Sequence, residues 1–213
     1  MPTNLFVAVA PTTEIEAVNT MLATIGESPI NSFEEINADI SIARDTLIEV
    51  SRAVQLEGWH WNIEDNYTLR PDTRTGHIKL NPSVMCVHFP TAQEKELVIR
   101  GSHVYDRVNH TLVFPPDFSV EVSITVQLPF DQLPESARRY IVIRAARVYQ
   151  SRVVGSGTLH DFNERDEAMA RATLLAEEYR LDRPNILKGT LPPTGTWSPL
   201  QTLMNRGGNH YGR

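Results

Sequence analysis

One long stretch near the middle of the chain, residues 133–155, limits the possible folds more than any other part of the sequence. Pro134, its second residue, suits a first helical turn, and Gly155 at its end suits a left-handed stop. The apolar residues between them recur at helical spacing and form a broad stripe: Ala137, Ile141, Val142, Ala145, Val148 and Tyr149. A stripe of this width predicts a helix that lies across a core.

The same stretch carries five arginines in a chain whose formal net charge is −6, namely Arg138, Arg139, Arg144, Arg147 and Arg152. One interpretation is a core helix with a solvated basic edge. The other is that some of these arginines face a partner subunit, since the planar guanidinium suits interface carboxylates. Under the second interpretation, Arg138 and Arg139 are candidate protein-interface residues.

Composition limits the class of protein. A chain of 213 residues that is 41% hydrophobic can bury one sizeable core, or one core with an appended lobe. The acidic balance argues against tight wrapping of nucleic acid, which requires a basic surface. The single cysteine, Cys86, excludes an internal disulfide and a zinc site built from cysteines, and we expect an inert buried thiol. The apolar run at residues 6–10 is too short for a signal or membrane segment, so we expect a soluble protein made inside the cell.

Helical spacing predicts four helices, near residues 13–25, 38–57, 134–153 and 163–181. Thr13 with Glu16 forms a capping box for the first, and Asn37 can cap the second. The apolar face of the second helix is Ile40, Ala43, Leu47, Val50 and Val54, a spacing typical of core packing or of a partner-binding zipper. For the fourth helix we expect a cap at Asp161 or Asn163, and an apolar face made by Ala168, Ala172, Leu175 and Tyr179.

Between the second and third helices the hydrophobic period changes from 3.6 to 2, which predicts strands. The clearest is 119–126, and weaker candidates are 77–80, 84–87, 96–99, 103–105 and 112–114. The predicted fold is therefore α+β: an antiparallel helical bundle (1–66 and 129–184), an antiparallel β-sheet insert (67–128) and an extended C-terminal tail (185–213). The apolar tail residues Trp197, Leu200 and Leu203 are candidates for docking onto another protein.

No nucleophile elbow, phosphate-binding loop or zinc-protease motif is present, and we predict no catalytic, metal or cofactor site. Adjacent acidic pairs (Glu34-Glu35, Glu64-Asp65 and Glu177-Glu178) leave a carbohydrate-cleaving hydrolase as the alternative to a protein without a catalytic site. Trp59 and Trp61 could stack on nucleic-acid bases, or could close the end of the bundle.

Several short motifs occur together in a definite order along the chain. They are Ala17-Val18-Asn19, Ile25-Gly26-Glu27, Asn37-Ala38-Asp39, Gly58-Trp59 with Asn62, Leu69-Arg70-Pro71-Asp72, Tyr105-Asp106-Arg107 and Leu133-Pro134-Glu135. In this order the sequence, from about residue 14 to 183, closely resembles the tail tubular protein A family of short-tailed, T7-like phages.

This resemblance implies a structural virion protein with no catalytic centre, located in the phage tail. It implies a gatekeeper, or head-to-tail adaptor, that forms a homo-dodecameric ring below the portal protein. It further implies contacts with the nozzle protein (tail tubular protein B) and with the tail fibres. DNA would pass through the ring without specific binding, and no membrane partner is implied. An acidic chain suits a channel that does not bind DNA tightly.

Overall fold

The computed structural model describes residues 11–34, 37–90, 96–155 and 157–182, and of residues 157–163 and 181–182 it describes the backbone alone. Within these ranges the helices are α1 (Glu14–Ala23), α2 (Ala38–Leu56), α3 (Glu135–Val153) and α4 (Gly157–Asp182). The strands are β1 (Ile63–Leu69), β2 (Val84–His88), β3 (Leu97–Arg100), β4 (His103–Asp106) and β5 (Val120–Val126). All five strands lie between α2 and α3, and the predicted α+β class is confirmed.

Helix α3 is the centre of the bundle, because it packs against α1, α2 and α4. Pro134 is its N-cap, and Gly155, with a φ of 66°, ends it in the left-handed region as expected. Most of the predicted stripe is buried, and Tyr140 and Ala146 are buried with it. The buried surface extends around most of the helix, because three other helices contact it from different sides.

The start of α1 and the apolar face of α2 agree with the sequence. Thr13 Oγ1 accepts from the Glu16 amide at 3.2 Å, and the Glu16 carboxylate accepts from the Thr13 amide at 2.8 Å, which completes the capping box. Asn37 Oδ1 accepts from the Asp39 amide at 3.3 Å at the start of α2. The five predicted core residues of α2, from Ile40 to Val54, are all buried within the subunit. The core-packing interpretation of this face is therefore confirmed.

Helix α4 differs from the prediction in its start and in its orientation. It begins at Gly157, so Asp161 and Asn163 lie inside the helix rather than at its cap. Its buried residues are Ala170 and Leu174. Three of the four residues predicted to face the core, Ala168, Ala172 and Tyr179, are exposed instead, and Leu175 is half-buried. The side of α4 that faces the bundle also carries charged residues. These form ion pairs with residues of α3 and with the end of α2.

The strands form two antiparallel units. Strand β5 is the middle of a three-stranded sheet in the order β1-β5-β2, and β3 pairs with β4 as a hairpin. Both edge strands break register against β5, β1 between Glu64 and Tyr67 and β2 between Val84 and Cys86. Asn66, inside the first irregularity, has a φ of 57°. The predicted strands at 77–80 and 112–114 form only isolated bridges, His77 to Val113 and Lys79 to His103.

The bundle and the sheets have separate hydrophobic cores. One joins residues of all four helices with Ile30, Trp59 and Leu133. The other joins β1, β3, β4 and β5 with Ile78, Leu80 and Phe114. The sheet region begins at Ile63, four residues before the predicted start of the insert, because β1 continues the chain almost directly from the end of α2.

Candidate interaction surfaces

A buried polar junction connects the end of α2 to the chain that leaves the sheet. The Gln55 side chain is fully buried. Its amide oxygen accepts from the Leu128 amide at 2.7 Å, and its amide nitrogen donates to the Leu128 carbonyl and to Ser51 Oγ, both at 3.0 Å. One side chain thus satisfies both backbone groups of Leu128, which lies 73 residues away in sequence.

Asn62 extends this junction on the other side of the α2 end. Its amide nitrogen donates to the Gln55 carbonyl at 2.8 Å and to the Val126 carbonyl at 3.1 Å, and its amide oxygen accepts from the Trp59 amide at 2.8 Å. Gln55 and Asn62 therefore hold the two chain segments that link bundle and sheet. Sequence reasoning did not assign either residue a role, although Asn62 is part of one of the motifs that carried the family resemblance.

Arg138 lies inside the subunit. Arg138 is 7% exposed. Its guanidinium donates to the Leu133 carbonyl at 2.8 Å, to the Thr12 carbonyl at 2.8 Å and also to the Asp131 carbonyl. The side chain therefore joins the segment before α1 to the segment before α3. Its proposed role at an interface is not tested by these contacts, but its guanidinium is engaged within the chain.

The other arginines of α3 are placed differently from one another. Arg139 is exposed, and its guanidinium has no ionic partner among the described residues. Arg152 forms a bidentate pair with Glu49, at 2.7 and 2.9 Å, and this hydrogen bonding holds the pKa of the Glu49 carboxyl below its usual range. Arg144 and Arg147 both reach Glu167 on α4. Of the predicted pair, Arg139 is thus the residue whose side chain is available to a partner.

An ionic network fixes α4 to the rest of the bundle. Arg171 forms a bidentate pair with Glu57, at 2.8 and 3.2 Å, and donates to the hydroxyl of the buried Tyr140 at 2.9 Å. These hydrogen bonds, chiefly those to Glu57, raise the pKa of Arg171. One turn before the end of α4, Glu178 accepts from the His60 amide and contacts its Nδ1, both at 2.6 Å. The inward orientation of α4 follows from these paired charges.

An open groove lies between α1, α2 and the segment that leads to α3. Its volume is about 610 Å³. Ile15, Phe33, Ile48 and Phe130 form much of its apolar wall, and Glu14, Arg44 and Asp131 stand among the polar residues that line it. Arg44 pairs with Glu14 at 3.0 Å and lies over the Phe33 ring, 4.8 Å from the ring centroid. The groove is a concave, mainly apolar surface with charged groups in its lining.

Two of the other sequence hypotheses are answered by burial. Trp59 is 4% exposed and its indole nitrogen donates to the Val54 carbonyl at 2.7 Å, while its ring stacks on that of Trp61. The tryptophans therefore close the end of the bundle. Cys86 is half-buried rather than buried as expected, with its sulfur 3.7 Å from His88 Nε2. The reason is that β2 is an edge strand.

The acidic pairs lie apart in the fold, on β1 and on α4, and Glu35 lies outside the described residues. Both carboxylate oxygens of Glu178 contact His60, and Asp65 accepts from Ser123 Oγ at 2.6 Å. Within the described ranges no group of histidine, cysteine and acidic side chains is arranged to hold a metal ion. No described helix is long and apolar enough to span a membrane. The candidate tail residues Trp197, Leu200 and Leu203 lie outside the described residues.

Comparison with known proteins decides the family. A family model described as Tail tubular protein matches residues 15–184, a range that contains the sheets and almost all of the four helices. The chain belongs to the tail tubular protein family. Among curated proteins it is similar to tail tubular protein A of Klebsiella phage KP34, at 24% identity over 171 residues, which cover 80% of this chain and 89% of that protein. The family predicted from the sequence motifs is confirmed, and the chain is a structural component of a virion tail.

Proposed function

We propose that copies of this tail protein form a twelve-fold adaptor ring, a gatekeeper between the portal protein and the nozzle. The main support is the family match, which includes both the helical bundle and the sheet insert. The proposed role is structural rather than enzymatic. In this role the chain contacts its own copies, the portal, the nozzle and the tail fibres.

A closed ring requires two different surfaces on each subunit, which meet when one copy follows the next. Arg139 is exposed on α3 and is our candidate for part of one such surface. Arg138 takes part in the proposal only indirectly, because its guanidinium donates to three carbonyl groups within the subunit, in the segments that precede α1 and α3. We propose Trp197, Leu200 and Leu203 as residues that dock the C-terminal tail, residues 185–213, onto a neighbour or onto the nozzle.

The charge of the chain supports passage of DNA through the ring without specific binding. The formal net charge is −6, and a negative surface repels the phosphate backbone. The separate cores support a division into a bundle domain and an insert domain, predicted from the sequence as 1–66 with 129–184 and as 67–128. Because β1 pairs with β5 from Ile63 onward, we place the start of the insert at Ile63. In the ring, the bundle would pack against its copies while the insert extends toward another tail component.

The test is assembly on the portal. Purified full-length protein is mixed with the portal protein encoded by the same phage and imaged by negative-stain electron microscopy. We expect rings of twelve subunits on the portal, and their absence would contradict the proposed function. Arg139→Glu should reduce the fraction of portals that carry a ring, whereas Arg139→Lys, which keeps the charge, should not. Equal occupancy for the two variants would remove Arg139 from the interface but would leave the ring intact as a proposal.

A further inference from the structure

Helix α4 carries an apolar surface on the side that points away from the bundle. Met169 and Tyr179 are 69% and 60% exposed, and Ala172 and Ala176 are also exposed. At 100° per residue these four side chains lie within about 80° of one another, directly opposite the buried Ala170 and Leu174. We call Met169, Ala172, Ala176 and Tyr179 the outer stripe. Its central alanines allow another element to approach the helix closely.

The charged residues in line with the outer stripe are basic, and the exposed acidic residues Glu164 and Asp166 lie to either side of it. Arg165 lies in line with it, one turn before Met169, and Arg180 lies at its C-terminal end. Both arginines are exposed, and the acidic residues of this part of α4 lie on other sides of the helix. A partner surface for the outer stripe should therefore combine a concave apolar wall with carboxylates.

The groove between α1 and α2 has these properties. Its wall includes Ile15, Ile48 and Phe130. Its lining contains the carboxylates of Glu14 and Asp131; Glu14 pairs with Arg44, so Asp131 is the one of these two carboxylates that is open to a basic partner. Its α2 wall extends from Arg44 to Ser51, about 10 Å along the helix, and the outer stripe is about 15 Å long. The two surfaces are thus comparable in length, and their apolar and charged parts are complementary.

The position of the two surfaces excludes contact between them within one subunit. Helix α3 lies between them, because it packs against α1 and α2 as well as against α4, while α4 makes no comparable packing with α1 or α2 among the described elements. The outer stripe therefore faces away from the groove of its own chain. A second copy can present its outer stripe to that groove, and repetition of this contact is head-to-tail.

We infer that the outer stripe of α4 in one subunit docks into the α1–α2 groove of the next copy. This contact rests on the proposed ring function, since it names the surfaces that would join successive subunits. It is independent of Arg139, which lies on α3. The occupant of the groove is thus a helix of the same chain in a second copy.

Disulfide trapping tests the contact. In a Cys86→Ser background, one variant receives Ile48→Cys in the groove and another receives Ala176→Cys on the outer stripe. Each is oxidised mildly, alone and mixed, with and without the portal protein of the same phage. We expect a covalent dimer only in the mixture, and a ladder of multimers when both cysteines are in one chain. The matched control replaces Ala176→Cys by Thr173→Cys, an exposed position beside the outer stripe and about 60° around the helix from Ala176, and should give less cross-linking.

Other occupants give other products. A dimer of Ala176→Cys alone would show that two α4 helices pack together, and would overturn the head-to-tail contact. A lack of dimers in the mixture, both with and without portal, would also overturn it. If wild-type rings still form on portals in that case, the ring function stands and only these surfaces are wrong. If dimers form but rings do not, the contact stands and the ring function fails.

A charge placed on the stripe gives a second measurement. Ala176→Glu is expected to weaken self-association, measured by sedimentation or by ring occupancy on the portal, at least about tenfold, because the carboxylate would be buried against an apolar wall that contains other carboxylates. Thr173→Glu adds the same charge beside the stripe and should weaken it much less. Equal effects of the two substitutions would contradict the inference.

Discussion

The junction at Gln55 provides the sharpest test of how the bundle is joined to the sheet. The substitution Gln55→Met keeps the length and volume of the side chain but removes its amide. Three hydrogen bonds are lost: one from the Leu128 amide, one to the Leu128 carbonyl and one to Ser51 Oγ. Because Gln55 is fully buried, water cannot replace the amide without a rearrangement of the core.

The expected cost follows from the groups left without partners. Each buried polar group that loses its hydrogen bond costs about 1–3 kcal/mol, and Leu128 loses the partners of two backbone groups. Removal of the amide from an apolar surrounding returns about 1–2 kcal/mol. We therefore expect Gln55→Met to lower the free energy of unfolding by about 1–4 kcal/mol, a substantial fraction of the stability of a typical domain.

Urea unfolding followed by tryptophan fluorescence measures this change, since Trp59 lies next to the junction and reports on its packing. The matched control is Gln132→Met, because Gln132 is exposed in the turn before α3 and its replacement should change stability by less than about 0.5 kcal/mol. If Gln55→Met differs from this control by less than about 1 kcal/mol, the junction does not stabilise the fold as argued.

Three further predictions concern the stability of the fold, its dependence on pH and the C-terminal tail of the chain. In urea unfolding, Arg138→Ala should lower the free energy of unfolding by about 3 kcal/mol, because Arg138 is buried and hydrogen-bonded. Arg139→Ala should change it by less than about 0.5 kcal/mol, because Arg139 is exposed. Similar losses for the two variants would contradict this reasoning. Asp106 accepts from the amides of Val108 and Asn109, and its pKa is lowered chiefly by the Asn109 amide. The folded pKa of Asp106 lies below its unfolded value of about 3.9. The stability that Asp106 contributes is therefore fully present above about pH 3.9 and is lost as the pH falls through the folded pKa. Asp106→Asn should therefore flatten the loss of thermal stability on acidification, and an unchanged profile would refute this. Deletion of residues 190–213 should leave the melting temperature nearly unchanged but reduce incorporation into tails, and normal incorporation would show that this segment is a passive end.

The sequence predicted the elements whose burial depends on spacing alone. The face of α2 from Ile40 to Val54 is regular, apolar and buried, and the alternation in β5 matches its buried residues Val120, Val122 and Ile124. The caps at Thr13 and Asn37 are local contacts within three residues, so their chemistry is visible in the sequence.

Long-range polar contacts explain where the sequence-based predictions differ from the structure. The apolar stripe of α4 suggested a core face, but Arg171 and Glu178 have partners at Glu57 and His60, more than 100 residues away, and these partners orient the helix. The burial of Arg138 depends on three carbonyls, and a sequence gives no indication of which carbonyls a guanidinium will meet. Strand β1 as a whole was not among the predicted strands, because an exposed edge strand requires few apolar side chains.

The register breaks in the two edge strands have a consequence for crowding. Open strand edges on many copies at high local concentration invite sheet-to-sheet pairing, which leads to aggregation. Here β1 is interrupted between Glu64 and Tyr67, and β2 between Val84 and Cys86, so neither edge presents a long regular row of amides and carbonyls. The irregular pairing thus limits strand addition at both sides of the three-stranded sheet.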